Sequence, residues 1–108
     1  MKALYHLPGG SNCIGYAVTS VAGRDRKREF LIVGVCEATA SDGMVYIADG
    51  RLHRLNRPKK KNLIHLKVVG PGGEAVTALL RDGTATDSDV RAALDAMFGQ
   101  KSDQESNV

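Results

Sequence analysis

Seven consecutive apolar residues, Phe30-Leu31-Ile32-Val33-Gly34-Val35-Cys36, constrain this chain more than any other stretch. The run is short and rich in β-branched residues, so it reads as a strand. A strand points successive side chains to opposite faces, and here both faces are apolar. Each must be covered, which rules out a single-layer sheet with one side in water. The run is also the longest apolar stretch in the chain and is far too short to cross a bilayer.

Shorter segments flank it. Tyr16 to Val21 alternates and predicts a strand, Met44 to Ala48 predicts a third, and Arg51-Leu52-His53-Arg54-Leu55 a short fourth. Pro58-Lys59-Lys60-Lys61-Asn62 is expected to break that strand, and Leu63 to Val69 to form a fifth. The joints carry turn chemistry. Thr39 to Gly43 ends in Asp-Gly, and Asp49-Gly50 suits a two-residue hairpin. Five short strands joined by tight turns predict a small barrel.

After Val69 the period changes. Gly70-Pro71-Gly72-Gly73 is a flexible break; it lacks a phosphate-loop pattern and has no following lysine. Glu74 to Arg81 sets Val76, Leu79 and Leu80 on one helical face, with Asp82-Gly83 as its stop. Thr86 and Asp89 have the spacing of a capping box, and the next helix aligns Val90, Ala93, Leu94 and Met97 before Gly99. The expected class is therefore mainly β with C-terminal α. Residues 1–14 form an irregular N-terminal segment, 15–69 the barrel, and 70–108 a helical hairpin with a polar tail. The hairpin is the natural cover for one face of the 30–36 strand.

Charge is segregated along this order. Between residues 22 and 67, eleven Lys/Arg face five Asp/Glu, a balance of +6. From residue 70 onward three basic residues face seven acidic ones, a balance of −4. The cations concentrate in Gly23-Arg24-Asp25-Arg26-Lys27-Arg28 and in Arg51, Arg54, Arg57, Lys59, Lys60 and Lys61. Cations held this close repel one another, so such clusters make sense against a polyanion, and phosphate oxygens are the natural partners. The acidic second helix would be repelled from a nucleic-acid groove. With five aromatic residues and no Trp, a row of stacked bases is not the expected mode.

Catalytic groups do not assemble. His6, His53 and His65 are scattered, with no metal-ligand spacing and no neighbouring nucleophile, so the expectation is a non-enzyme without cofactor or metal. Cys13 and Cys36 have no paired spacing, which suits reduced thiols in the cytoplasm, and no secretory signal is expected in residues 1–14.

Gly15-Tyr16-Ala17-Val18-Thr19-Ser20-Val21-Ala22-Gly23-Arg24-Asp25 resembles the start of a KOW motif. That strand–turn–strand element occurs in ribosomal proteins and NusG-type transcription factors. With Val45-Tyr46-Ile47-Ala48-Asp49-Gly50 and Arg57 to Leu66, residues 15–69 resemble the small KOW-domain RNA-binding proteins of Gram-positive bacteria. Those are relatives of archaeal and eukaryotic large-subunit ribosomal proteins. The resemblance implies an SH3-like barrel and binding to structured RNA, on or near the ribosome and in translation. Residues 1–14 are longer than that family's usual leader, and the loop 37–43 is slightly extended. By position Gly23 matches the motif's glycine, Arg24 and the basic residues after it match the RNA-facing turn, and Pro58 to Asn62 match a second basic element. The expected RNA contacts are Arg24, Arg26, Lys27, Arg28, Arg51, Arg54, Lys59, Lys60, Lys61 and Asn62, with Gly23 and Asp25 shaping the turn. Arg28 has a second reading, pairing with Glu29 or Glu37, and Asn62 a second as a cap. The rival reading of the whole chain is a module that docks on a ribosomal protein or RNA polymerase.

Overall fold

The alternating and apolar segments become strands where their neighbours allow a ladder. The structure is a computed structural model that describes residues 13–21, 23, 26–35 and 43–99. Strands β1 (Tyr16–Ser20), β2 (Glu29–Val35) and β3 (Met44–Ala48) lie within a residue or so of the stretches expected from the pattern. They form an antiparallel meander with β4 (Lys59–Asn62), and β5 (Leu66–Pro71) returns to pair with β1. The strand order is β4-β3-β2-β1-β5.

Two segments depart from expectation. Arg51 to Leu55 is not a strand; it bends, because the Asp49 carboxylate captures the backbone N–H groups of Arg51 and His53, each at 2.9 Å. The fourth strand is instead the lysine run, Lys59–Asn62, paired along its length with Ile47, Tyr46, Val45 and Met44. Leu63 to His65 is not the start of the fifth strand. It is a single 3-10 turn whose N-cap is Asn62, the side chain accepting from Ile64 N at 3.0 Å. The strand then runs through Pro71, into the stretch expected to be a flexible break.

The sheet coils. Register shifts at Val33 in β2 and opposite Ala17–Val18 in β5 are bulges, which increase twist. As a result Val45 and Ile47 of β3 share one buried cluster with Val18, Phe30 and Ile32, and with Leu66 of β5. Cys13 belongs to the same cluster. Strands β4 and β5 end the sheet without pairing to each other, so the expected barrel is not closed.

The opposite face carries the helices. α1 (Glu74–Asp82) ends at Gly83, and α2 (Asp87–Phe98) starts from a complete capping box between Thr86 and Asp89. Val76, Val90 and Leu94 bury Ala17 and Leu31, with Val33 and Leu80 at the margin. The 30–36 run thus has its two covers: Phe30 and Ile32 face the coiled core, and Leu31 faces the hairpin. Cys36 lies outside the described residues. Among the described residues no helix is long and apolar enough to cross a membrane.

Candidate functional site

The β1–β2 turn is closed by main chain. Lys27 N donates to Ser20 O at 2.8 Å, Ser20 N donates to Arg28 O at 3.0 Å, and Arg26 N donates to Gly23 O at 3.3 Å. One residue, Ser20, thus faces two, Lys27 and Arg28, in a bulge whose first member needs a left-handed backbone. Glycine normally fills that place, yet here it is Lys27, with φ 70°. No other non-glycine among the described residues has a positive φ. Such a conformation costs on the order of 1 kcal/mol in an L-residue. Gly23 also has a positive φ, 79°, a backbone that glycine adopts without steric cost. The side chains of Arg26 and Lys27 are exposed. Arg24 and Asp25 lie outside the described residues.

Arg28 is set apart from its neighbours. It is half-buried, and one guanidinium nitrogen lies 3.4 Å from Oδ2 of the buried Asp49, a partner 21 positions away. Its Nε is shielded and has no hydrogen-bond partner. Arg28 is therefore partly neutralised within the fold.

The segment after β3 is held by carboxylates. Besides the two N–H groups that Asp49 Oδ1 accepts, Asp49 N and Gly50 N donate to His53 O at 2.8 and 3.1 Å. Asp49-Gly50 thus opens a longer loop rather than a two-residue hairpin. Asp87 at the start of α2 accepts from Leu55 N at 2.8 Å, and Arg91 donates to Gly50 O at 2.7 Å. Gly50 is pressed so close to α2 that a Cβ there would meet Asp87 O at 2.6 Å. Arg51 and Arg54 project from this braced loop and are exposed; Arg54 Nε donates to Arg51 O at 3.3 Å. A hollow of about 240 Å³ lies between the loop, the β1–β2 turn and α2. Lys27, Arg28, Arg51 and Arg91 line it together with Glu29, Asp49 and Asp95, so its charge is mixed.

The lysine run, being a strand, divides its cations. Lys59 and Lys61 pair with Ile47 and Val45, whose side chains face the coiled core, so their stems lie along that side. Lys60 pairs with Tyr46 and points to the helix side. The three lysines do not form one surface. Lys61 reaches the β1–β2 turn: its Nζ is 3.6 Å from where a Cβ of Gly23 would sit. The two basic segments therefore meet at Gly23 and Lys61. Asn62, a candidate base reader, has its Oδ1 engaged by Ile64 N.

Sequence reasoning missed three features. The Gly23–Lys61 approach depends on where β4 lies, which no local pattern gave. The captures by Asp49 had a visible signal, since an Asp followed by Gly favours side-chain bonds to the backbone two residues on. The apolar side chains of Val21 and Ile64, exposed beside the cations, were not singled out.

His53 packs its ring 5.7 Å from that of Phe30, and no group of three or more His, Cys, Asp or Glu among the described residues is placed to hold a metal. Burial pushes the Cys13 thiol above its ordinary value, against the smaller opposing pull of a backbone hydrogen bond and of Arg81. No protein-family model matches the chain, and no curated protein matches it.

Proposed function

We propose that the chain is a non-enzymatic RNA-binding protein that engages structured RNA, ribosomal RNA first, through phosphate contacts from the β1–β2 turn and β4. The meeting of Lys61 Nζ with Gly23 carries this reading. Cations distant in sequence come together where β4 approaches the β1–β2 turn, a positive surface of the kind that attracts a polyanion. The backbone of Lys27 adds support. A cation is kept where glycine would be less strained, which favours a task for its side chain. Arg24, Arg26, Lys27, Lys59 and Lys61 are the principal contacts in this reading, with Arg51, Arg54 and Lys60 flanking and Arg28 secondary.

The coiled five-stranded sheet, in which the last strand pairs with the first, supports an SH3-like barrel left open between β4 and β5. That agrees with the KOW resemblance of residues 15–69, and with it a place at the bacterial ribosome in the cytoplasm. Protein docking, the second reading, has the unpaired outer edge of β5 on its side.

The test is salt dependence of binding to an rRNA-derived hairpin. On a paired stem the log–log slope should be about −0.9 per phosphate engaged, if RNA behaves as duplex DNA does. Replacing Arg26, Lys27 and Lys61 together with Ala should flatten the slope by about two to three phosphates' worth. An unchanged slope would remove this patch from the interface.

A further inference from the structure

Among the described residues, large apolar side chains are exposed at Val21, Leu52, Ile64 and Val69. Single exposed apolar residues are ordinary on protein surfaces. Two of these are not scattered. Val21 N donates to His65 O at 2.9 Å, which sets the end of β1 against the 3-10 turn carrying Ile64. Two residues beyond Val21, Gly23 meets Lys61 Nζ. Val21 and Ile64 therefore flank the point where the two basic segments join.

Their presentation is fixed. Ile64 is 76% exposed, yet its backbone is pinned by the Asn62 cap, and Leu66 N closes the turn on Leu63 O. Val21, 50% exposed, is pinned by the ladder to His65. Neither side chain contributes to a buried cluster. A polar residue would serve the turn equally well, and β-branched side chains lose little rotamer freedom when something settles on them.

We propose that Val21 and Ile64 form a ledge for an unpaired nucleobase, beside the cations that hold its flanking phosphates. The inference rests on the RNA-binding reading and narrows it, from paired RNA in general to RNA with a bulged or looped-out nucleotide. Charge complementarity selects the occupant. The exposed Arg26 and Lys27 of the turn that follows Val21 favour a polyanion, and a splayed nucleotide is the polyanion unit that also offers a flat apolar face. A fully paired stem keeps its base faces stacked inside the helix and leaves the ledge in water. Base recognition of this kind needs no aromatic platform, which suits a chain with few aromatic residues.

The test compares two RNAs, a fully paired duplex and the same duplex with a bulge of unpaired nucleotides. An aliphatic ledge offers less than an aromatic one, so the wild-type protein should favour the bulged RNA about fivefold. Ile64→Ser should remove that preference while leaving the salt slope intact. Leu52→Ser, which removes an equally exposed leucine from the braced loop, should keep it. Salt-dependent binding without any preference for the bulge overturns the ledge alone. So does an Ile64→Ser variant that weakens both RNAs equally. Absence of salt-dependent binding to either RNA overturns the RNA reading as well, and would leave Val21 and Ile64 as a protein contact.

Discussion

Two of the basic segments of this protein, the β1–β2 turn and the loop after β3, are built on different principles. The β1–β2 turn is closed by main-chain hydrogen bonds from Ser20, Arg26 and Lys27 to Arg28, Gly23 and Ser20 in turn. The loop after β3 is closed by two carboxylates, Asp49 and Asp87, with Arg91 clamping Gly50. Carboxylates make a firm loop, but they put negative charge among the arginines that the loop presents. Among the described residues the turn relies on main-chain bonds instead, with Lys27 held in a left-handed backbone. A count of cations thus misjudges a surface unless it includes what holds them in place.

The harshest way to break this comparison is Leu94→Asp. Leu94 helps seat α2 on Leu31, and a carboxylate there is expected to cost about 4 kcal/mol or more in denaturant unfolding. It should also release the braces that α2 places on Gly50 and Leu55. Stability left intact would mean the hairpin is not the cover of β2. Asp49→Ala is narrower. It strips the acceptor from Arg51 N and His53 N and the ion pair from Arg28, for an expected loss of about 2–3 kcal/mol. Amide hydrogen exchange should quicken at Arg51 and His53, while the RNA salt slope below the melting temperature should steepen by no more than about one phosphate's worth as Arg28 is released.

Lys27→Gly sharpens the comparison by separating its two quantities. Relief of the left-handed backbone, less the entropy cost of glycine, should raise stability by up to about 0.5 kcal/mol. The RNA salt slope should fall by about one phosphate's worth. A gain in stability with no change in slope would mean that Lys27 does not touch the polyanion. The smallest effect is expected from Arg54→Ala, on the braced loop. Thermal stability should stay within about 0.5 kcal/mol, and RNA affinity should change less than for Lys27→Gly. A larger loss of affinity at Arg54 would reverse the ranking of the two segments.

Much of the scaffold was legible in the sequence, because its elements carry periodic apolar signals. Phe30 to Val35, Met44 to Ala48 and the Val90–Leu94–Met97 stripe announce themselves, and the Thr86–Asp89 box marks its helix start. Strand β4 has no such signal. Its residues are Lys-Lys-Lys-Asn, and only the ladder to β3 makes them a strand. Arg51 to Leu55 offered a false signal, a short segment between two turn signals that reads as a strand but is bent by one buried carboxylate. The candidate site inherited both errors. Each basic cluster was visible, but the approach of Lys61 to Gly23, and the turning of Lys60 to the other face, follow from the position of β4.

The lysines of β4 have a consequence for the protein's own company. Among the described residues β4 ends the sheet, so one row of its peptide groups has no strand beside it. Such a row is a template to which a second chain can add, and like charge on two lysine strands opposes that addition. Acetylating Lys59, Lys60 and Lys61 would remove this opposition, so the acetylated protein is expected to self-associate more readily than the parent through the edge of β4.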